Sequence, residues 1–369
     1  MVRGIFRSVA GVLFAMSAAT AHAEILIGAA APLTGDNSWY GEHVESAIGM
    51  AVAELNEAGG ILGQTVRAII VDDYCRGDQA VAAARKLVAD GVVFVAGHPC
   101  SGAAIPASKV YEQAGVLMIA STASNPRLTD EGGPNVFRMV GRDDQQGPIA
   151  GDYLADHYVG AEIALLHDGE AYGQGLAEQT KRRLNERGIQ EVFFERITPG
   201  QRDYTDVLSK MKSAGVDVLY YGGYSTEAGL MIRQARDLGY DVQLISGDGL
   251  STEQFWLVAG PAGEGVLFTS FPDPRGNPEA AEVVRRFRAE NFEPEGVTLY
   301  TYASMQAWAQ AVEAAGTLEL DAVIRALRGR TFDTVLGTVG FDEKGDVTGP
   351  DTFVWYIWKD GSYRPLLSE

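Results

Sequence analysis

Residues 92–120, VVFVAGHPCSGAAIPASKVYEQAGVLMIA, contain one complete repeat of the pattern that decides the fold. An apolar run at residues 92–96 is followed by an amphipathic stretch at residues 103–114, by Gly115, and by a second apolar run at residues 116–120. Because a glycine just past the last turn is typical of a helix end, the segment predicts a strand, a helix and a strand. Such a unit is the building block of a parallel sheet.

The same order of apolar runs and amphipathic stretches recurs through the chain, which has 369 residues. The predicted strands are 25–31, 66–71, 92–96, 116–120, 163–167, 191–196, 216–221, 242–245 and 265–271. The predicted helices are 42–58, 79–89, 103–114, 144–157, 173–187, 204–213, 226–238, 252–258, 278–291, 298–315 and 320–327. Short strands are also expected near residues 334–339 and 353–358. This alternation predicts the α/β class with mostly parallel sheets.

Two breaks in the alternation divide the chain into domains. They are RMVGRDDQQG at residues 138–147 and the proline-rich FPDPRGNP at residues 271–278. The stretch between them is long enough for one domain, so the segments on either side must share the other. We therefore predict two sheets in two domains, joined by crossovers at these two breaks.

The first 23 residues have the pattern of a secretory signal peptide. Arg3 and Arg7 precede an apolar run that ends in the small-residue pattern before Ala23, which predicts cleavage there and a periplasmic location. The run is shorter than the roughly 20 apolar residues that span a bilayer, so no stable membrane insertion is expected. Loss of the two arginines changes the formal net charge from −19 to −21. So acidic a chain disfavours nucleic acid as a partner.

The chain contains two cysteines, Cys75 and Cys100. In an exported protein two cysteines are expected to form a disulfide bond. No Cys-x-x-Cys spacing is present, so a structural bridge is favoured over a redox function.

Hydroxyl groups and one carboxylate follow the predicted strands, at Ser101, residues 121–124, Tyr172, Tyr224 and Asp248. Ligands of parallel sheets bind beyond the carboxyl ends of the strands, where helix starts offer free N–H groups to anions. A carboxylate supplies a partner for a cation. Taken together the set suits a zwitterion such as an amino acid. The alternative is that Ser101 and Ser124 are ordinary helix caps or turn residues and that Asp248 belongs to an ordinary turn.

Several longer motifs add a resemblance to a known family. They are LNEAGGILG, VDDYC, GHPCSGAAIPAS, LMIASTAS, GRDDQQGP, HDGEAYGQGLA, VLYYGGYSTEAG, RQARDLG and FDEKGD. Over essentially all of residues 24–369 the chain resembles the periplasmic binding proteins for branched-chain amino acids, which are receptors of ABC importers. The resemblance implies a two-lobed type I periplasmic-binding-protein fold, with two doubly wound sheets joined by three crossovers, and hinge closure on an amino acid. The predicted division is residues 24–141 plus 272–349 for lobe I and residues 142–271 plus 350–369 for lobe II. It also implies a monomer without a cofactor and delivery of the ligand to an inner-membrane permease.

The resemblance also implies roles for residues at matching motif positions. Ser101 corresponds to the serine that binds the ligand carboxylate beside the disulfide. Thr122 and Ser124 correspond to the strand-end pair that meets the ammonium and carboxylate groups. Asp248 stands where the family has an acidic partner for the ammonium, often a glutamate.

Three tyrosines complete the implied ligand-binding set. Tyr172 and Tyr224 correspond to aromatic contacts from the second lobe, and Tyr40 corresponds to the aromatic residue that covers the ligand side chain. Two departures from the family affect specificity: Thr122 replaces a small apolar residue, and VTLYTYAS near Val297 differs from the usual side-chain pocket.

Other readings stay open at this point. An exported hydrolase is one, although the chain has no G-x-S-x-G, Walker A or dinucleotide fingerprint and no histidine pair with zinc-ligand spacing. A receptor of the same fold for an amide or a small or aromatic carboxylate is another. The stretch FDEKGDVTG at residues 341–349 has the oxygen ligands of a calcium loop without its spacing, so a turn between strands is favoured and no metal is expected.

Overall fold

The computed structural model of the chain describes residues 24–349 and 353–366, so the predicted signal peptide lies outside the described residues. Its first part contains β1 (Ile25–Ala31), α1 (Ser38–Glu57), β2 (Val66–Asp72), α2 (Gly77–Ala89), β3 (Phe94–Gly97), α3 (Ser101–Ala114), β4 (Leu117–Ala120), α4 (Arg127–Asp130) and β5 (Val136–Arg138). The five strands form a parallel sheet in the order β2-β1-β3-β4-β5. This is a doubly wound order whose switch point lies between β1 and β3.

The middle of the chain builds a second sheet. It contains α5 (Asp143–His157), β6 (Ile163–His167), α6 (Ala171–Glu186), β7 (Phe193–Arg196), α7 (Thr205–Ser213), β8 (Val218–Gly222), α8 (Ser225–Asp237), β9 (Gln243–Ser246), α9 (Glu253–Ala259) and β10 (Leu267–Ser270). These strands are parallel in the order β7-β6-β8-β9-β10. The second switch point therefore lies between β6 and β8.

The last part of the chain contributes elements to both lobes. It contains α10 (Ala281–Ala289), α11 (Gly296–Ala315), α12 (Leu320–Gly329), β11 (Thr331–Thr334), β12 (Gly337–Phe341), β13 (Val347–Thr348), β14 (Val354–Lys359) and β15 (Ser362–Pro365). Helix α11 packs on the first sheet, where the ring of Trp308 stacks on Phe94 with centroids 4.6 Å apart. Strands β14 and β15 extend the second sheet in antiparallel pairing beyond β10.

The molecule therefore has two lobes, each defined by a sheet and the elements packed on it. The chain passes between the sheets three times: between β5 and α5, between β10 and α10, and between β13 and β14. These observations confirm the predicted α/β class, the two mostly parallel sheets and the three crossovers. The residue limits of the lobes stay predictions, and residues 350–352 and 367–369 of the predicted lobe II lie outside the described residues.

The structure differs from the predicted elements mainly where an element is short. Strand β5 has three residues and helix α4 has four, and neither was predicted because so few residues carry no measurable period. Helix α1 begins at Ser38 rather than at residue 42. The helix predicted at 278–291 is a single 3-10 turn at Pro278–Ala280 followed by α10.

The predicted disulfide between Cys75 and Cys100 is confirmed, with Cα atoms 5.5 Å apart. Cys75 follows β2 and Cys100 stands between β3 and α3, so the bridge joins two loops at the carboxyl ends of the strands that flank β1 in the sheet. The bridged cysteines are 25 residues apart in sequence, and a loop of that length corresponds to a stabilisation of about 3 kcal/mol. The bridge thereby fixes the position of the first turn of α3.

Candidate functional site

The two lobes contact each other at the carboxyl ends of their strands. The Asn125 side chain, after β4, donates a hydrogen bond to the Ala171 carbonyl, after β6, at 2.6 Å. The Thr226 hydroxyl, in the first turn after β8, donates to the Asp36 carbonyl, after β1, at 3.2 Å. Loops that follow strands of one sheet thus meet loops that follow strands of the other. This is where ligands bind in folds with open parallel sheets.

A small cavity between the lobes is lined by three of the predicted residues, Tyr40, Thr122 and Asp248. The space open to the centre of a water molecule within it is about 30 Å³. Further lining residues are Ser251, Ser270, Phe271, Val297, Tyr300 and Tyr356. Asp273 also lines the cavity, but its carboxylate is paired with Arg275 at 2.6 Å. The cavity therefore combines two carboxylates, one of them neutralised by an arginine, with hydroxyl groups and aromatic walls, as a small amphipathic ligand requires.

Asp248 is the lining carboxylate that has no ion pair among the described residues. The Tyr172 hydroxyl donates to the Asp248 carboxylate at 2.9 Å and accepts the N–H of Gly249 at the same distance. Burial raises the pKa of Asp248 to about 6, and hydrogen bonds from Tyr172 and Gln146 oppose the rise. At neutral pH the carboxylate is therefore mostly ionised, and it can bind a cation in a site with little water.

The glycines on either side of Asp248 follow from close packing at this point. A Cβ atom on Gly247 would lie 2.4 Å from a methyl carbon of Leu176, and one on Gly249 would lie 2.4 Å from the Gly223 carbonyl oxygen. A side chain at Gly247 would have to displace the Leu176 side chain, whereas the contact at Gly249 is with backbone and cannot be relieved in this way. Gly249 is thus required to bring the Asp248 loop against the loop after β8.

The three predicted tyrosines form one continuous row across the cleft. The ring centroids of Tyr40 and Tyr224 are 6.0 Å apart with the rings nearly perpendicular, and those of Tyr224 and Tyr172 are 5.2 Å apart. Burial raises the pKa of each hydroxyl, and the charge of Asp248 adds to the rise. The row extends from α1, which carries Tyr40, to Asp248, which accepts the hydrogen bond from Tyr172.

The predicted hydroxyl residues of lobe I lie next to each other in the loops after β3 and β4. Ser101 is the first residue of α3, after Cys100 at the N-cap position, and its hydroxyl accepts the N–H of Asn125 at 3.1 Å. The alternative that Ser101 caps its own helix is therefore wrong. The Thr122 hydroxyl donates to the Pro99 carbonyl at 3.1 Å. The Ser124 hydroxyl is buried and has no hydrogen-bond partner among the described residues.

Several residues of the site were missed by the sequence analysis. Asp143 and Gln146, in the first turn of α5, are buried and lie close to Asp248. Glu295, before α11, accepts the N–H of Glu253 at 2.9 Å and so links the two lobes. The motif RDDQQ indicated a crossover, but nothing in it indicated which of its acids is buried.

The buried Glu295 and the largely buried His43 form a pair of titratable side chains at the edge of the site. Their side chains approach to 3.6 Å. Burial lowers the pKa of His43 to about 4, with Arg275 contributing, and burial raises the pKa of Glu295 to about 7. His43 is therefore neutral at pH 7, and the contact is a polar interaction between a neutral imidazole and a weakly acidic carboxyl group.

Residues 342–346 form a turn between β12 and β13, which the sequence favoured over a calcium loop. The Asp342 carboxylate accepts the backbone N–H groups of Lys344 and Asp346, each at 2.9 Å. Across residues 24–349 and 353–366, no group of three or more His, Cys, Asp or Glu side chains is arranged to hold a metal ion.

Comparisons with known proteins agree with this geometry. Residues 24–361 match the family described as periplasmic binding protein. The chain is 45% identical, over 98% of each chain, to the Leu/Ile/Val-binding protein homolog 1 of Brucella suis. A leucine-binding protein from Thermotoga maritima superposes with a TM-score of 0.84 at 26% identity, covering 93% of this chain and 98% of the other. A branched-chain amino acid transporter substrate-binding protein from Streptococcus pneumoniae, solved with isoleucine, superposes with a TM-score of 0.82 at 26% identity, covering 93% and 99%.

Proposed function

The chain belongs to the periplasmic binding protein family, and on this premise we propose that it captures a small amino acid between its lobes and delivers it to an ABC import permease. The observation that carries the proposal is the buried, mostly ionised Asp248 in a cavity lined by Tyr40 and Thr122. The names of the Brucella relative and of the isoleucine-bound neighbour favour a branched-chain amino acid as the ligand.

The proposed contacts follow the chemistry of a zwitterion. The ligand ammonium is bound by Asp248, which Tyr172 holds in place. The ligand carboxylate is bound at the first turn of α3, where Ser101 and the free helix N–H groups favour an anion. Tyr40 and Tyr224 cover the ligand side chain with apolar ring surface.

We further propose that the lobes close on the ligand as two rigid bodies. Lobe I comprises residues 24–141 and 272–349, and lobe II comprises residues 142–271 and 350–369. The hinges are the three crossovers near Arg142, Phe271 and Gly349, since hinge motion is absorbed by a few residues between packed bodies. Closure excludes water and thereby strengthens the polar contacts of the ligand.

The same proposal includes the place of action and the partners. The protein works in the periplasm as a monomer, after cleavage of the signal peptide behind Ala23, and it binds its ligand without transforming it. Its curated relatives are solute-binding proteins, which supports a receptor without catalysis. Throughout the part of the chain that the structure describes, helices with the length and apolarity to cross a bilayer are absent.

Thermal unfolding of the protein comprising residues 24–369, with a panel of amino acids, amides, esters and small or aromatic carboxylates, tests this function. We expect leucine, isoleucine or valine to raise the unfolding temperature most, because a ligand that binds only the folded state stabilises it by about 2.7 kcal/mol at one hundred times its Kd. Calorimetric titration of the best compound then gives its Kd.

Other results of this screen would contradict the proposal in distinct ways. Stabilisation by an amide, or by a small or aromatic carboxylate, with none by any amino acid would point to the same receptor fold with a different ligand. Hydrolysis of the added amides or esters would point to an enzyme.

A further inference from the structure

Asp143 is the first residue of α5, directly after the first crossover. Its side chain is fully buried, and neither carboxylate oxygen has a hydrogen-bond partner among the residues described. Its backbone N–H donates to the Ser124 carbonyl at 3.0 Å, which fixes the start of α5 against the loop that carries Thr122 and Ser124. A buried carboxylate without partners is costly, so its presence requires an explanation.

The usual explanation for an acid at this position is insufficient. An acidic residue in the first turn of a helix gains only a small stabilisation from the helix dipole when it is exposed. Burial of a carboxyl group without hydrogen-bond partners costs more than this gain in either protonation state. The neighbouring Asp144 gives the ordinary case, because it is partly exposed and paired with Arg142 at 2.9 Å.

Other polar groups surround Asp143. The hydroxyl of Ser124 and the amide oxygen of Gln146 are also buried without a hydrogen-bond partner in the described ranges. Gln146 lies one turn along α5, and its amide nitrogen donates to the Thr269 carbonyl at 3.0 Å. We refer to Asp143, Ser124, Gln146 and Asp248 together as the polar chamber.

The two carboxylates of the polar chamber influence each other. Burial raises the pKa of Asp143, and the charge of Asp248 adds to the rise, while the Ser124 hydroxyl and Arg138 oppose it. The same two acids both contribute to the raised pKa of Tyr172. Asp143 therefore lies within electrostatic reach of the cavity, although Asp248 alone reaches its surface.

The nearest cation is already engaged elsewhere. The Nε–H of Arg138 donates a hydrogen bond to the Asp346 carboxylate at 2.6 Å. Its Nη1 donates to the carbonyls of Ala123 and Asn125 at 3.1 and 2.9 Å. Its Nη2 donates to Thr129 at 2.5 Å. The polar chamber thus contains two acids and no hydrogen-bonded cation within the part of the molecule described, and a positively charged ligand group would complement it.

We propose that Asp143 is a positioning residue for the ligand ammonium, acting with Asp248 through the intervening Ser124 hydroxyl. In this arrangement Ser124 donates to Asp143 and presents its lone pairs to the ammonium. The chamber then selects ligands that carry an ammonium group over analogues of the same shape that lack it. This inference rests on the proposed amino-acid receptor function and adds a specificity-determining residue to it.

The test compares Asp143→Asn with the wild-type protein in two measurements, with leucine as the probe. Calorimetry is expected to show a Kd for leucine at least about tenfold higher in the variant. The unfolding temperature without ligand is expected to be nearly unchanged, because Asn has almost the same size and replaces a buried carboxyl group whose raised pKa favours its neutral form. A purely structural role would instead lower the stability.

Asp144→Asn is the matched control, since it removes the same charge one residue further along α5, and we expect it to leave the Kd nearly unchanged. If Asp143→Asn binds leucine as tightly as the wild type does, the inference is overturned while the receptor function stands. A parallel loss of stability and affinity would assign Asp143 to the fold and would overturn the inference as well. Absence of binding by the wild-type protein to every amino acid would instead refute the receptor function itself.

Discussion

Replacing Asp248 with Asn is expected to raise the Kd for the amino-acid ligand by roughly 30-fold to several thousand-fold, or about 2 to 5 kcal/mol of binding free energy. The carboxylate is buried, is mostly ionised at neutral pH and is held by the Tyr172 hydroxyl at 2.9 Å. Asn keeps the shape and one oxygen but removes the charge. The ligand ammonium would then enter a buried site without its counter-charge, and losses of this size are typical when one partner of a buried ion pair is removed.

Calorimetric titration of the variant and the wild type at neutral pH measures this loss. Glu191→Gln is the matched control, because Glu191 is a partly buried acid that pairs with Lys181 near the amino end of β7, away from the cleft. We expect the control to bind like the wild type. If the Asp248→Asn variant binds the ligand with unchanged affinity, the argument that the ligand carries an ammonium group loses its basis.

Replacing Arg138 with Met is expected to lower the free energy of unfolding by about 3 to 5 kcal/mol. The Arg138 side chain is fully buried on β5, where it donates to Asp346 and to two backbone carbonyls of the loop after β4. Met fills a similar volume but donates nothing. The Ala123 carbonyl would lose this donor, and the Asn125 carbonyl would keep the Leu128 N–H. Asp346 would retain its ion pair with Arg142 at 2.9 Å and the hydrogen bond from the Thr129 hydroxyl at 2.7 Å.

Urea unfolding followed by circular dichroism measures this change. Arg67→Met is the control, since Arg67 pairs with Glu24 at 2.8 Å on the surface, with about half of each side chain exposed. A surface pair of this kind contributes between 0 and about 1 kcal/mol. A loss below about 1 kcal/mol in Arg138→Met would show that the buried network does not support the loop.

Hydrophobic periodicity was sufficient to predict the long elements and the two sheets. Strand β6 has the bounds that its apolar run predicts, and α3 ends where Gly115 follows it. Short elements could not be predicted in this way. Strand β5 ends in Arg138, and only its tertiary contacts with Asp346 and the loop after β4 explain how a guanidinium becomes part of the core.

The candidate site was predictable where a residue follows a strand and unpredictable where burial depends on distant contacts. Tyr40, Thr122 and Asp248 meet at one cavity, as the order of strand ends and the resemblance implied. Asp143 and Asp144 are adjacent acids with the same local sequence signal. They differ because the start of α5 packs against the Ser124 loop, which buries one side chain and leaves the other beside Arg142.

The central claim is that Asp248 binds the ammonium group of an amino acid between the lobes. A crystal structure of the protein with leucine bound tests it most directly. The account predicts the leucine nitrogen about 2.7–2.9 Å from an Asp248 carboxylate oxygen, with the leucine carboxylate at the first turn of α3. Leucine bound outside the cleft, or with its carboxylate next to Asp248, would contradict the account.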